Sequence, residues 1–163
     1  MDNVDLKILT ILQDDASVSV GEIARRVGLS QTPCWRRIQR LEQSGVIRRR
    51  VALLNPDAIG LGLTVFVEIE TGDHSKEWLD RFAAAIVAMP EVMEVHRMAG
   101  DVDYLLRIAA ANMSAFDLFY RRLIALLPLK NVTSRFAMEL VKGTTAFPIP
   151  DEAAKPRGRQ ARA

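Results

Sequence analysis

The stretch from residue 20 to residue 50, VGEIARRVGLSQTPCWRRIQRLEQSGVIRRR, constrains the fold more than any other part of the chain. It reads as two short helices around a glycine break. Ile23, Ala24 and Val27 give the first helix an apolar stripe, Gly28 and Leu29 supply the turn, and Ser30 offers an N-cap oxygen. Pro33 falls in the first turn of the next helix, where its missing N–H is harmless. Cys34, Ile38 and Leu41 then recur at i, i+4 and i+7, which buries one face and leaves Gln31, Thr32, Trp35, Arg36, Gln39 and Arg40 on the other. A helix held by a narrow apolar stripe, with polar and cationic groups outward, suits the major groove of double-stranded DNA, so the segment predicts a helix-turn-helix.

Charge points the same way. Residues 20–50 contain eight arginines against Glu22 and Glu42, whereas residues 51–150 contain nine Lys or Arg against twelve Asp or Glu, and the whole chain is only at +2. The basicity is local, as expected of a surface that displaces counterions from a polyanion. By residue chemistry, Gln31, Thr32 and Arg36 are the expected base readers, with Arg40 able to form bidentate bonds to guanine and Gln39 to pair with adenine. Arg37, Arg48, Arg49 and Arg50 are expected to clamp phosphates. Trp35 fits two roles equally, packing on a sugar or bracing its own helix.

The N-terminal block opens with a helix that Asp5 can cap and whose Ile8, Leu9, Ile11 and Leu12 face inward. After Gly45, VIRRRVALL is extended and basic, which suits a wing or linker strand. Asn55-Pro56 breaks the chain and Gly60 and Gly62 mark a boundary. From Leu63 the periodicity changes. LTVFVEIET alternates as a strand, residues 75–89 place Trp78, Phe82, Ile86 and Met89 on one helical stripe, and VMEVHRMAG and DYLLRIAA pair across Gly100-Asp101. Ser114 opens a helix with Phe116, Tyr120, Leu123 and Leu127 inward, and NVTSRFAMELVK is a last strand. The order strand-helix-strand-strand-helix-strand is a ferredoxin-like split βαβ, making the whole an α+β protein. Its helices cover one sheet face. The other, with Phe66 and Met98, is expected to be too apolar for water and to need a second subunit. The expected division is a DNA-binding domain over 1–54, a linker over 55–62, an effector and oligomerisation domain over 63–148, and a disordered basic tail over 149–163.

No signal peptide or membrane-spanning run is visible, and a lone Cys34 forms no internal disulfide, so a reducing cytoplasm is the expected compartment. Cys34 lies on a buried stripe and is read as a packing residue. His74 and His96 are too few and too far apart for a metal site, and no cofactor is expected.

VGLSQTPCWRRIQRLEQSGVI, VALLNP, AGDVDYLLRI and FAMELVK, in this order and spacing, resemble the Lrp/AsnC, or feast/famine, transcription regulators over residues 2–148. The resemblance implies a winged helix-turn-helix followed by a ferredoxin-like effector domain, homodimers joined through their sheets and assembling to octamers, and a small amino acid bound between dimers. IGLGLTVFVEIET, HSKEW, MPEV and VTSRFAME are similar to the cysteine-responsive branch, which favours cysteine as effector, with leucine or another apolar amino acid next. LPLKNVTSRF departs from the family pattern by lacking the glycine of its usual Leu-Pro-Gly turn.

A zwitterionic ligand needs a carboxylate for its ammonium group and backbone N–H groups for its own carboxylate. The turn Gly100-Asp101-Val102-Asp103-Tyr104 offers both. The resemblance adds Met98, Ala99, Met113, Thr133, Ser134 and Phe136 around the same cleft. Two alternatives use the same fold: an enzyme like the sirohaem decarboxylases, and an architectural DNA-wrapping protein without an effector.

Overall fold

The computed structural model describes residues 1–126 and 128–150. Leu127, expected to face inward, and the tail from residue 151 onward lie outside the described residues. The chain divides into two compact units, one formed by Met1–Ala52 with the stretch from Lys142, the other by Leu53–Val141. Residues 142–148, expected in the effector domain, therefore group with the N-terminal unit. Their tie there is Gln13, whose side-chain amide donates to Phe147 O and accepts from Phe147 N, each at 2.9 Å.

The helical unit contains α1 (Asn3–Asp14), α2 (Val20–Val27) and α3 (Gln31–Gln43). Ile8, Leu12, Ile23, Ala24, Cys34, Ile38 and Leu41 form its core, so all three apolar stripes meet where their spacing predicts. Asp5 is not the cap of α1. Asp2 is, and Asp5, three residues on, completes a reciprocal capping box because its carboxylate reaches back to the Asp2 N–H. Gly28 stops α2 in the left-handed region at φ 73°, where a side chain would be strained. Ser30 occupies the N-cap of α3 without a side-chain cap bond. The run after Gly45, expected to be extended, bends at Val46 and Ile47 and forms no strand among the described residues, where it has no ladder to join.

The second unit contains β1 (Leu63–Glu70), α4 (Lys76–Val87), β2 (Val92–Arg97), β3 (Tyr104–Ala110), α5 (Met113–Leu126) and β4 (Asn131–Phe136). The sheet order is β2-β3-β1-β4, with every neighbouring pair antiparallel, as the split βαβ requires. Val65, Val67 and Ile69 of β1 and Leu106 and Ile108 of β3 are buried with Trp78, Phe82, Phe116, Phe119 and Leu123 of the helices. Phe119, rather than Tyr120, is the fully buried aromatic of α5. β4 ends at Phe136, shorter than expected, because β1 begins at Leu63 and the last pairing bond runs from Ala137 N to Thr64 O.

The open sheet face is less apolar than expected. By register, Phe66 lies opposite Arg107 on β3 and Arg135 on β4, and those arginines pair with Glu94 at 2.6 Å and Glu68 at 2.9 Å. The strand period of two puts both ion pairs beside the one large aromatic.

Phe119 has no exposed surface. Phe119→Ala should therefore lower unfolding free energy by about 3–5 kcal/mol, since few neighbours can collapse into the space. Urea titration of the full chain measures this, and a loss under about 1 kcal/mol would contradict the packing.

Candidate nucleic-acid interface and effector groove

Helix α3 presents Gln31, Thr32, Trp35, Arg36 and Arg40 to solvent, with Trp35 half exposed. The arginines of this unit are not equivalent. Arg25 and Arg26 both bond Glu22, and the two guanidinium groups hold its carboxyl down to about 2. Arg50 meets Glu42 at 2.9 Å, and the Gln39 amide donates to the same carboxylate at 3.1 Å. Arg36, Arg48 and Arg49 are exposed and have no carboxylate partner among the described residues.

Arg37 and Arg40 turn back toward α1. Arg37 Nη1 lies 2.6 Å from Asp2 Oδ2 and 2.8 Å from Asp5 Oδ1, and Arg40 Nη2 lies 2.8 Å from Asp5 Oδ2. Asp5 is fully enclosed, while the Arg37 side chain is 28 % exposed and that of Arg40 61 %. The backbone N–H of Asp5 and then the Arg37 guanidinium hold the Asp2 carboxyl below the ordinary aspartate value. At Asp5, burial and, to a lesser extent, the Asp2 charge push upward. The Asp2 N–H, Arg37 and the Arg40 charge more than offset both, so Asp5 also stays ionised. Sequence reasoning missed this bridge, which spans some thirty residues. Its local signal was the acid spacing Asp2-x-x-Asp5 at a helix start.

Burial pushes the Cys34 thiol up, as suits a packing residue. Among the described residues no cluster of three or more His, Cys, Asp or Glu is placed to hold a metal ion. No described helix is long and apolar enough to cross a membrane.

The residues expected around the effector separate into two places within one copy. Met113, Ser134 and Phe136 line an open groove of about 270 Å³ between α5 and β4, together with Phe116, Asp117, Tyr120 and Val132. Phe136 meets Phe116 edge-on at 5.2 Å. Thr133 has the opposite strand parity and pairs with Glu68 on the open face. The turn holding Met98, Ala99, Gly100 and Asp101 is exposed, with Gly100 at φ 133°. Asp103 is partly committed, because its Oδ2 accepts the Thr71 N–H at 2.8 Å and its Oδ1 lies 3.9 Å from His74 Nδ1. Tyr104 is not a lining residue of one copy. It pairs with Ile69, shares that residue's covered face and packs 4.6 Å from the Phe82 ring. Phe136 pairs with Val65 and Tyr104 with Ile69. At ~3.3 Å per residue the Phe136 end of the groove lies roughly 13 Å along β1 from the level of Tyr104, whereas Val132 at its other end pairs with Ile69 on that same level, with β1 standing between β3 and β4.

A family profile described as the Lrp/AsnC ligand binding domain matches residues 64–147, and a winged helix-turn-helix DNA-binding profile matches residues 1–48. The chain is 49 % identical to the DNA-binding transcriptional activator DecR of Escherichia coli (strain K12) over 91 % of its own length and 99 % of that protein's. Among solved structures, it is similar to an AsnC family transcriptional regulator from Agrobacterium tumefaciens, with TM-score 0.88, 54 % identity and coverage of 91 % and 97 % of the two chains. It is also similar to a transcriptional regulator of Neisseria meningitidis in complex with L-Met, with TM-score 0.86, 34 % identity and coverage of 91 % and 96 %.

Because the folded carboxyls of Asp2 and Asp5 lie below the ordinary value, their contribution to stability is complete above the unfolded aspartate pKa. It is lost as pH falls through the depressed folded pKa. Melting temperature should therefore drop below about pH 4, and Asp2→Asn should flatten that drop. Calorimetry from pH 5 to pH 2 checks it. Equal slopes for wild type and variant would show that the Asp2–Arg37 pair adds nothing.

Proposed function

Because this chain belongs to the Lrp/AsnC family of transcriptional regulators, we propose that its α3 reads operator DNA with Gln31, Thr32 and Arg36 and that its sheet domain answers to a small amino acid. It is a DNA-binding regulator and not an enzyme: relatives covering nine-tenths of its length are named as regulators, and the sirohaem-decarboxylase alternative is set aside. The observation that carries the reading is the contrast on α3 between the exposed, uncommitted Arg36 and the tethered Arg37. An uncommitted guanidinium beside two exposed polar side chains can form bidentate bonds to guanine while they test the neighbouring bases. Arg48 and Arg49 then supply phosphate contacts, joined by Arg50 once it leaves Glu42, and Trp35 flanks the backbone. Arg37 and Arg40, expected to touch DNA, are reassigned to the bridge with α1. Operator binding places the protein in the cytoplasm with the chromosome.

For the effector we favour cysteine, from the branch resemblance, with leucine as the alternative. The Neisseria regulator, held with L-Met, supports a ligand of that size and charge on this fold. The groove supplies an apolar wall and the Gly100-Asp101 turn an exposed carboxylate with backbone N–H groups. Their placement on opposite sides of β1 within one chain favours a ligand gripped by the turn of one copy and the groove of another. That arrangement couples occupancy to assembly with a typical linkage of about 1–3 kcal/mol. A homodimer packed through the open sheet faces around Phe66, and an octamer built from it, complete the proposal.

Arg36→Ala should cost about 1–3 kcal/mol on the preferred duplex and relax one base position, whereas Arg49→Ala should weaken all duplexes alike. Binding of both variants to a randomised duplex library separates the two. The same uniform loss in each would remove the division into reader and clamp. For the effector, calorimetry of the full chain with cysteine, leucine and methionine should show heat for one of them, and Asp101→Ala should weaken it at least tenfold. Equal binding by the variant would move the site away from the turn.

A further inference from the structure

The helix-turn-helix unit carries more arginine than selective DNA reading can use. Each cation free to meet a phosphate adds affinity for every duplex, of any sequence, and the excess erodes discrimination. Five of the eight arginines in residues 20–50 are paired with carboxylates, and the pairs are of two kinds. Arg25, Arg26 and Arg50 meet acids of their own segment at the surface, where a phosphate can replace the partner at little loss.

Arg37 and Arg40 meet acids delivered by another helix. Both oxygens of the enclosed Asp5 are occupied, Oδ1 by Arg37 and Oδ2 by Arg40 together with the Asp2 N–H. Asp2 adds a second contact to Arg37 at 2.6 Å. Two negative charges thus balance two positive ones on the reading helix itself. If either arginine left for a phosphate, it would leave part of a buried carboxylate unpaired, which water cannot reach to compensate. The exchange that is easy for Arg25 is therefore disfavoured for Arg37 and Arg40, although Arg40 keeps much of its side chain in solvent.

We propose that Asp2 and Asp5 are specificity-determining residues: they act as an internal substitute for DNA phosphate that withholds Arg37 and Arg40 from the backbone, leaving Gln31, Thr32 and Arg36 to decide the sequence bound. This rests on α3 being the reading helix. The carboxylates are positioning residues, acting through the arginines they hold. Removing a negative charge here strengthens binding to unrelated DNA and weakens discrimination, the opposite of what mere loosening of the fold would do.

The test uses the full chain and two duplexes: one selected from a random library by the wild-type protein, and one of the same composition with its sequence scrambled. Affinities are measured by fluorescence anisotropy across a salt series for wild type, Asp2→Asn, Asp5→Asn and Asp14→Asn. Asp2→Asn preserves an N-cap acceptor and so the start of α1. Asp14→Asn makes the same charge change at an exposed position of the same helix, with no arginine partner among the described residues. Asp2→Asn and Asp5→Asn should bind the scrambled duplex at least threefold more tightly at low salt. Their salt slope should be steeper by up to about 0.9 per freed arginine, and their preference for the selected duplex should fall correspondingly. Asp14→Asn should match wild type. If Asp5→Asn fails to fold by circular dichroism, Asp2→Asn decides the matter alone. An unchanged or shallower slope in folded Asp2→Asn, or an equal change in Asp14→Asn, overturns the proposal while leaving the reading helix in place. Wild-type protein that prefers no selected duplex overturns the reading helix and the proposal together.

Discussion

A carboxylate with no exposed surface joins the first helix of this protein to the third. An ionised Asp5 is tolerable there only because the Asp2 N–H and two guanidinium groups replace the water it has lost. This fixes more than a contact. It sets the rotation of α3 about its axis, because Arg37 and Arg40 must face α1 while Cys34, Ile38 and Leu41 enter the core. What remains for the outside is the face bearing Gln31, Thr32, Trp35 and Arg36. The apolar stripe alone would permit small rotations; a bridge with distances of 2.6–2.8 Å does not.

Elements defined by periodicity were legible in the sequence, and those defined by partners were not. Cys34, Ile38 and Leu41, or Trp78, Phe82 and Ile86, lie at spacings that only a helix can bring to one side, and each is buried. The alternation in β1 likewise states which residues are covered. The length of β4 was not legible, because its end is set by where β1 starts, seventy-odd residues earlier. Nor was the commitment of Arg37, since residue type shows that a cation is present but not which acid it meets. The same limit split the effector residues. Resemblance collects Tyr104, Thr133, Ser134 and Phe136 into one cleft, whereas strand parity sends Tyr104 into the core and Thr133 to the opposite face from its neighbours.

The sheet domain shows how one sequence pattern serves two surfaces. The residues of β1 that face the helices are Val65, Val67 and Ile69, all without exposed surface, and packing dictates them. The alternate residues, Phe66, Glu68 and Glu70, answer to a different requirement. Glu68 pairs with Arg135 and the Glu94–Arg107 bridge lies on the other side of Phe66, so the open face sets its one aromatic among ion pairs. A wholly apolar face left open to water would instead be an aggregation hazard.

The doubled hydrogen bond between Gln13 and the Phe147 backbone bears on how the chain is made. Its partners are 134 residues apart, so the sheet unit is, in topology, an insertion within the helical one. During synthesis the three helices emerge before the sheet and can close their own core from local contacts, while their strut must wait until Phe147 has been translated. Two exposed hydrogen bonds repay little of the entropy of closing so long a loop. The strut therefore forms securely only once the sheet has folded and shortened the path between its ends. The helical unit completes its own structure only when the domain placed inside it has completed its structure.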